Sequence, residues 1–171
     1  MSNKENKNSS KYLSWSKKLN QIGIALSSEK NILKLLEMIL AESRIFTNCD
    51  AGTFYRVSKN KKKLAFTVMH NDKLKEYSGG TSGTRPSLPP VELYDKDGEP
   101  NLNAVSSYVF HKAKVVNIPD IYADKTPLSE GSKMYEKFSG YRTNSLLVVP
   151  MANHDDEIIG VLQLINAKDQ K

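Results

Sequence analysis

Apolar spacing divides the chain into a helical beginning and a strand-rich remainder. Over residues 12–26, Leu19, Ile22 and Leu26 recur at intervals of three and four, the period of an amphipathic helix. Ser27-Ser28-Glu29 breaks that run and reads as the cap of a second helix. There Ile32, Leu35, Leu36, Ile39 and Leu40 stand at i, i+3, i+4, i+7 and i+8, a broad stripe facing a core. Residues 51–57 (AGTFYRV) and 64–69 (LAFTVM), separated by a Lys/Asn/Ser turn, predict an antiparallel hairpin. Residues 78–103 crowd Gly, Pro, Ser and Asp together and predict a long loop, a length usually kept for function or mobility. A short helix is expected over 105–110, then a short strand over 114–118 closed by Pro119-Asp120. Residues 120–139 read as a polar connection, helical around 134–138. Two apolar strands, 145–150 and 158–166, join through Asn153-His154-Asp155-Asp156. Helices first, then strands with helical crossovers, predict an α+β fold.

Composition narrows the function classes. The chain has 171 residues and a net charge of +6, with 39% hydrophobic and 26% charged residues, which suits one soluble domain. No apolar stretch approaches the roughly 20 residues of a membrane span, and the polar start lacks a secretory h-region. Residues 1–11 are expected to be a disordered basic tail. Much of the positive charge sits in Lys4, Lys7, Lys11, Lys17 and Lys18 and in the cluster Lys59, Lys61, Lys62 and Lys63. Neither group is interleaved with stacking aromatics, so no nucleic-acid partner is expected, and no membrane partner either. Cys49 stands alone, which excludes an internal disulfide or multi-cysteine zinc site and suits a reducing cytoplasm. His70, His111 and His154 are scattered without metal-ligand spacing, so no metal is expected. GGTSGTR lacks the Gly-Lys-Ser/Thr ending of a P-loop, and there is no Gly-x-Ser-x-Gly elbow. No catalytic residues are expected.

Several blocks in order carry a family resemblance. GYRTNSLLVVPM, a short acidic turn and EIIGVLQLINA resemble the last hairpin of a GAF domain, a ligand-sensing module of signalling proteins. VSSYVFHKAKVVNIPDIY resembles that family's helix and following strand, and DAGTFYRV its first strand. The resemblance is closest to the cyclic-nucleotide type found in phosphodiesterases, adenylyl cyclases and bacterial cyclic-di-nucleotide enzymes. It implies a central antiparallel sheet with N-terminal helices on one face and ligand-pocket helices and loops on the other. The Asn-Lys-Phe-Asp-Glu signature of such domains is matched at Asn117 and then only loosely at Tyr135-Glu136-Lys137. Asn117 would support the signature, and Tyr135 and Glu136 would join the ligand set at the pocket lid.

The resemblance places a cyclic phosphate on the amides of Val105 and Ser106, with Ser107 nearby. A helix N-terminus suits an anion because its first N–H groups are free and its dipole is positive. Thr53 would hydrogen-bond a purine edge, Met69 and His70 would form the pocket floor, and Ser139 and Thr143 would reach base or ribose. A threonine in a strand is also simply a good β former, and His70 also reads as an ordinary strand-end residue. Arg142 is left outside the set. A GAF-fold methionine sulfoxide reductase or a bilin carrier would need more than the lone Cys49. The implied ligand is cAMP in preference to cGMP, with no other cofactor. The implied role is a homodimeric sensor, residues 27–171, paired through residues 12–26. Its effector would lie beyond residue 171: a diguanylate cyclase first, an adenylyl cyclase or HD-type phosphodiesterase otherwise. The alternative is a ligand-free GAF module for dimerisation or protein interaction.

Overall fold

Two helices, residues 19–25 (α1) and Ile32–Thr47 (α2), make up the helical beginning. The structure is a computed structural model that describes residues 16, 17, 19–25 and 27–168, with backbone alone at 134, 135 and 138. The basic tail over 1–11, and part of the expected helix over 12–26, lie outside the described residues. Asn31, not Ser27-Ser28-Glu29, caps α2. Its extended backbone brings Oδ1 onto the amides of Leu33 and Lys34 at 3.0 and 3.3 Å, satisfying two orphan donors. Ser27 and Ser28 instead bond back to the carbonyls of Ile24 and Ala25, each at 2.9 Å.

The strands are β1 (Cys49–Val57), β2 (Lys63–Asn71), β3 (Glu76–Gly79), β4 (Val91–Glu92), β5 (Val116–Ile118), β6 (Leu146–Ala152) and β7 (Ile158–Ala167). They form one antiparallel sheet in the order β3-β2-β1-β7-β6-β5, with β4 paired to β2. One face packs on α2, where Leu36 and Leu40 meet Phe54, Val68, Leu162 and Leu164. Gly52 permits that approach, since a Cβ there would lie 2.8 Å from Leu40 Cδ1. Ile32, in the first turn, stays 59% exposed and contributes little.

The opposite face carries a larger core of Tyr55, Leu64, Leu93, Val109, Ile121, Tyr141 and Val148, covered by α3 (Val105–Lys112) and α4 (Pro127–Ser139). The architecture is α+β, as the alternation of patterns predicts. Three boundaries differ. The expected 78–103 loop holds the end of β3 and all of β4, and its Leu93 is fully buried. β5 is shortened to three residues. α4 begins at Pro127, well before 134, because proline suits a first helical turn where its missing N–H would have no partner. No helix among the described residues is long and apolar enough to cross a membrane.

Candidate functional site

A cavity of about 200 Å³ lies between the sheet and the layer of α3 and α4. Register builds its floor. Gln163, Thr53 and Met69 stand side by side on β7, β1 and β2, so all three project from the same face. Phe66 and Tyr55 pack ring to ring beside them, centroids 4.7 Å apart. The roof is the start of α3 (Ala104, Val105, Ser106) together with Gly131 and Ser132 of α4, while Tyr141 and Thr143 close one wall.

Ala104 is the N-cap of α3 and has no side-chain oxygen to cap it. The backbone there is extended (φ −87°, ψ 126°), and the first helical return bond runs from Tyr108 N to Ala104 O at 2.8 Å. Val105 and Ser106, whose amides precede that bond at the positive end of the helix dipole, line the cavity. His111, at the other end of α3, bonds the Leu93 carbonyl through Nε2 at 2.6 Å and ties the helix to the buried residue that follows β4.

The wall is set by a buried polar network. Asn166 Oδ1 accepts from the amides of Asn144 and Ser145 at 2.6 and 3.2 Å. Its Nδ2 donates to the Arg142 carbonyl at 2.8 Å and to the Tyr141 hydroxyl at 3.0 Å. Tyr141 in turn donates to Asp50. Burial, and then the Asp50 carboxylate, push the Tyr141 pKa far above its ordinary value, so the hydroxyl keeps its proton. The network bends residues 141–145 so that Thr143 is buried at the cavity.

Thr53, Met69, Val105, Ser106 and Thr143 are thus brought together. His70 borders the cavity, but its ring lies on the other face of the sheet, with Nε2 3.8 Å from Glu37 Oε1 on α2. Strand parity is the reason: His70 is paired with Gly52 and Tyr77, both on the α2 side. Burial and the nearby Arg44 charge hold its pKa below the ordinary histidine value, against the opposing pull of Glu37. Ser107 is fully buried in the first turn of α3 and does not border the cavity. Glu136 accepts from the Tyr122 hydroxyl, and the Arg142 guanidinium lies 4.3 Å over the Tyr122 ring. Ser139 Oγ accepts from Tyr141 N at 3.1 Å, at the end of α4. The backbone of Tyr135 falls in α4, but its side chain lies outside the described residues, and Asn117 is exposed on β5. Sequence reasoning missed Gln163, Tyr141 and Asn166. Polar Gln163 and Asn166 within the apolar run VLQLIN were the available signal. No cluster of His, Cys, Asp and Glu among the described residues could hold a metal ion.

The GAF domain family model matches residues 31–171. The dual 3',5'-cyclic-AMP and -GMP phosphodiesterase 11A of Takifugu rubripes is 32% identical over 143 residues, covering 82% of this chain and 14% of that protein. The cGMP-specific 3',5'-cyclic phosphodiesterase of Drosophila ananassae is 27% identical over 146 residues, covering 82% of this chain and 11% of that protein. The chain therefore spans a small part of the curated relatives it matches. Among solved structures, the GAF domain of an Acinetobacter phosphoenolpyruvate-protein phosphotransferase shares the fold, with a TM-score of 0.61 at 14% identity. That match covers 92% of this chain and 80% of the other. With the sheet order, the covered cavity and the family match in agreement, the chain belongs to the GAF domain family.

Proposed function

We propose that this GAF domain is a regulatory sensor that binds a cyclic purine nucleotide in the cavity between the sheet and α3. The observation that carries the reading is the uncapped start of α3, whose residues Val105 and Ser106 line the same cavity as Thr53, Thr143 and Gln163. An anion and a hydrogen-bonding ring are the two halves of such a ligand. No lysine or arginine borders the cavity among the described residues, so the helix end is the phosphate site. About 200 Å³ is below the roughly 300 Å³ at which ligand pockets begin, so entry displaces α4 outward. Ligand then shifts the population toward the displaced form by its differential affinity.

The relatives' names favour a cyclic-nucleotide phosphodiesterase as the controlled output over the diguanylate cyclase expected from sequence. The sensor works in the cytoplasm as a homodimer. Leu19, 53% exposed and on one face of α1 with Ile22, offers an apolar position for pairing. That position is also what favours the rival reading, a ligand-free dimerisation module. Isothermal calorimetry of the folded chain with cAMP, cGMP and cyclic di-GMP separates the two. Saturable heat with a cyclic mononucleotide is expected. No heat with any of the three overturns the sensor reading.

A further inference from the structure

Polar bonds join the two faces of the sheet where the chain enters β1. Asp50, the second residue of that strand, is the shared partner. Its carboxylate accepts from the buried hydroxyl of Tyr141 on the cavity wall. Its backbone carbonyl accepts twice, from the Asp72 amide and from Arg44 Nη2, each at 3.0 Å. Arg44 is a buried residue in the last turn of α2, which packs on the opposite face. Gly52 lets its stem lie along β1, since a Cβ there would come within 3.1 Å of Cγ. The same Nη2 pairs with Asp72 Oδ2, while Asp72 Oδ1 accepts from the Tyr77 hydroxyl of β3 at 2.8 Å. Arg44 Nε is buried without a hydrogen-bond partner among the described residues, which leaves the guanidinium tied down through Nη2.

A buried charge is tolerated only with close, well-aimed partners, and losing one costs far more than it would at a surface. Arg44 therefore cannot shift without disturbing Asp50, nor Asp50 without releasing Tyr141. We infer that Arg44 and Asp50 are positioning residues for the cavity, coupling its wall to the last turn of α2 on the other side of the sheet. The inference rests on the sensor reading above for the kind of ligand, and on these bonds for the coupling. Neither Arg44 nor Asp50 borders the cavity. Both act through Tyr141, whose hydroxyl also accepts from Asn166, the residue that holds the segment carrying Thr143. A ligand that moves Tyr141 or Thr143 disturbs the Asp50 contacts, and α2 feels it at Arg44. Such coupling is reciprocal: whatever loosens Arg44 weakens the ligand by the factor with which the ligand alters the hold on Arg44. Ile45 and Phe46, next along α2, are exposed and carry the effect to the surface.

The test compares the wild-type chain with Arg44→Met, Asp50→Ala, Tyr141→Phe and a control, Leu36→Ala, which loosens α2 on the sheet without touching these bonds. Each is titrated calorimetrically with cAMP and cGMP after its urea midpoint is measured. Arg44→Met and Asp50→Ala should weaken the tighter-binding nucleotide about fivefold or more, the lower end of coupling between sites. Leu36→Ala should lower the urea midpoint and leave affinity unchanged, which separates positioning from mere stability. Asp50→Ala combined with Tyr141→Phe should cost little more than the worse single change, because the two side chains act as one unit. Tyr141→Phe keeps the buried ring, so hydrogen exchange on it gives a measure that needs no ligand. Amides of residues 44–48 should exchange faster than in wild type, while those of residues 36–40 keep their rates. Wild-type affinity in Arg44→Met, or an equal loss in Leu36→Ala, overturns the coupling and leaves the sensor reading standing. If neither nucleotide binds wild type, the sensor reading falls and the exchange decides the coupling alone: unchanged rates at residues 44–48 overturn it, and faster rates there sustain it.

Discussion

Asn166 holds more of the cavity wall than any residue singled out from the sequence. It sits in the left-handed region (φ 57°), which asparagine tolerates better than most residues, and its amide makes four hydrogen bonds to residues 141–145. Asn166→Ala would leave buried N–H and C=O groups of that segment without partners and place a Cβ-only residue at positive φ. Loss of about 2–4 kcal/mol is expected, read as a lower urea midpoint at unchanged slope. Asn166→Gly relieves the backbone strain alone, so it should remain nearly as unstable as Ala. If Gly restores wild-type stability, the side-chain bonds are not what matters. Thr143 should lose its place at the cavity in both variants, because the bonds that bend its segment are gone.

At the scale of elements, long periodic segments were readable and short or two-faced ones were not. The stripe from Leu35 to Leu40 and the two hairpins announced α2, β1, β2, β6 and β7, since burial imposes a period that composition cannot hide. β3 and β4 escaped because four and two residues carry no period, and their pairing to β2 is a tertiary choice. The start of α4 is legible in Thr126-Pro127, but the polar composition of 120–139 masks it and predicts a connection that is helical only around 134–138. His70 was placed at the pocket floor by resemblance, while strand parity sends its ring to α2 and into contact with Glu37, near Arg44 and Asp72. Burial of the ring between β2 and α2, beside the Arg44 charge, outweighs the Glu37 contact and makes their union pH-dependent. With the folded pKa of His70 below the unfolded value near 6.5, the unfolded chain binds more protons as pH falls through that range. Stability contributed there is full above pH 6.5 or so and is lost on acidification. The urea midpoint should fall between about pH 7.5 and 5.5, and His70→Gln should flatten the fall. Asp72, whose carboxyl Arg44 holds below its usual range, loses its share only nearer pH 4. An identical pH profile for wild type and His70→Gln would contradict the assignment.

For the whole molecule, the sheet separates two tasks. α2 seals one face with leucines, and the other face keeps a polar-edged cavity under α3 and α4. A ligand at the cavity touches α3 and α4 directly, and α4 is latched from outside by Tyr122 and Glu136 with Arg142 over the ring. Displacing α4 therefore alters a surface that a neighbouring domain could read. The proposed sensor depends on phosphate being held by the backbone at the start of α3. Ser106→Pro removes the amide, whereas Ser106→Ala keeps it and removes only the hydroxyl. Both variants, checked for a native far-ultraviolet spectrum and urea midpoint, should be titrated with the cyclic nucleotide that wild type binds best. Ala should bind within about threefold of wild type, while Pro should lose about tenfold or more, as for a hydrogen bond to a charged group. Equal affinities for the two folded variants would contradict the phosphate site and, with it, the cyclic-nucleotide sensor.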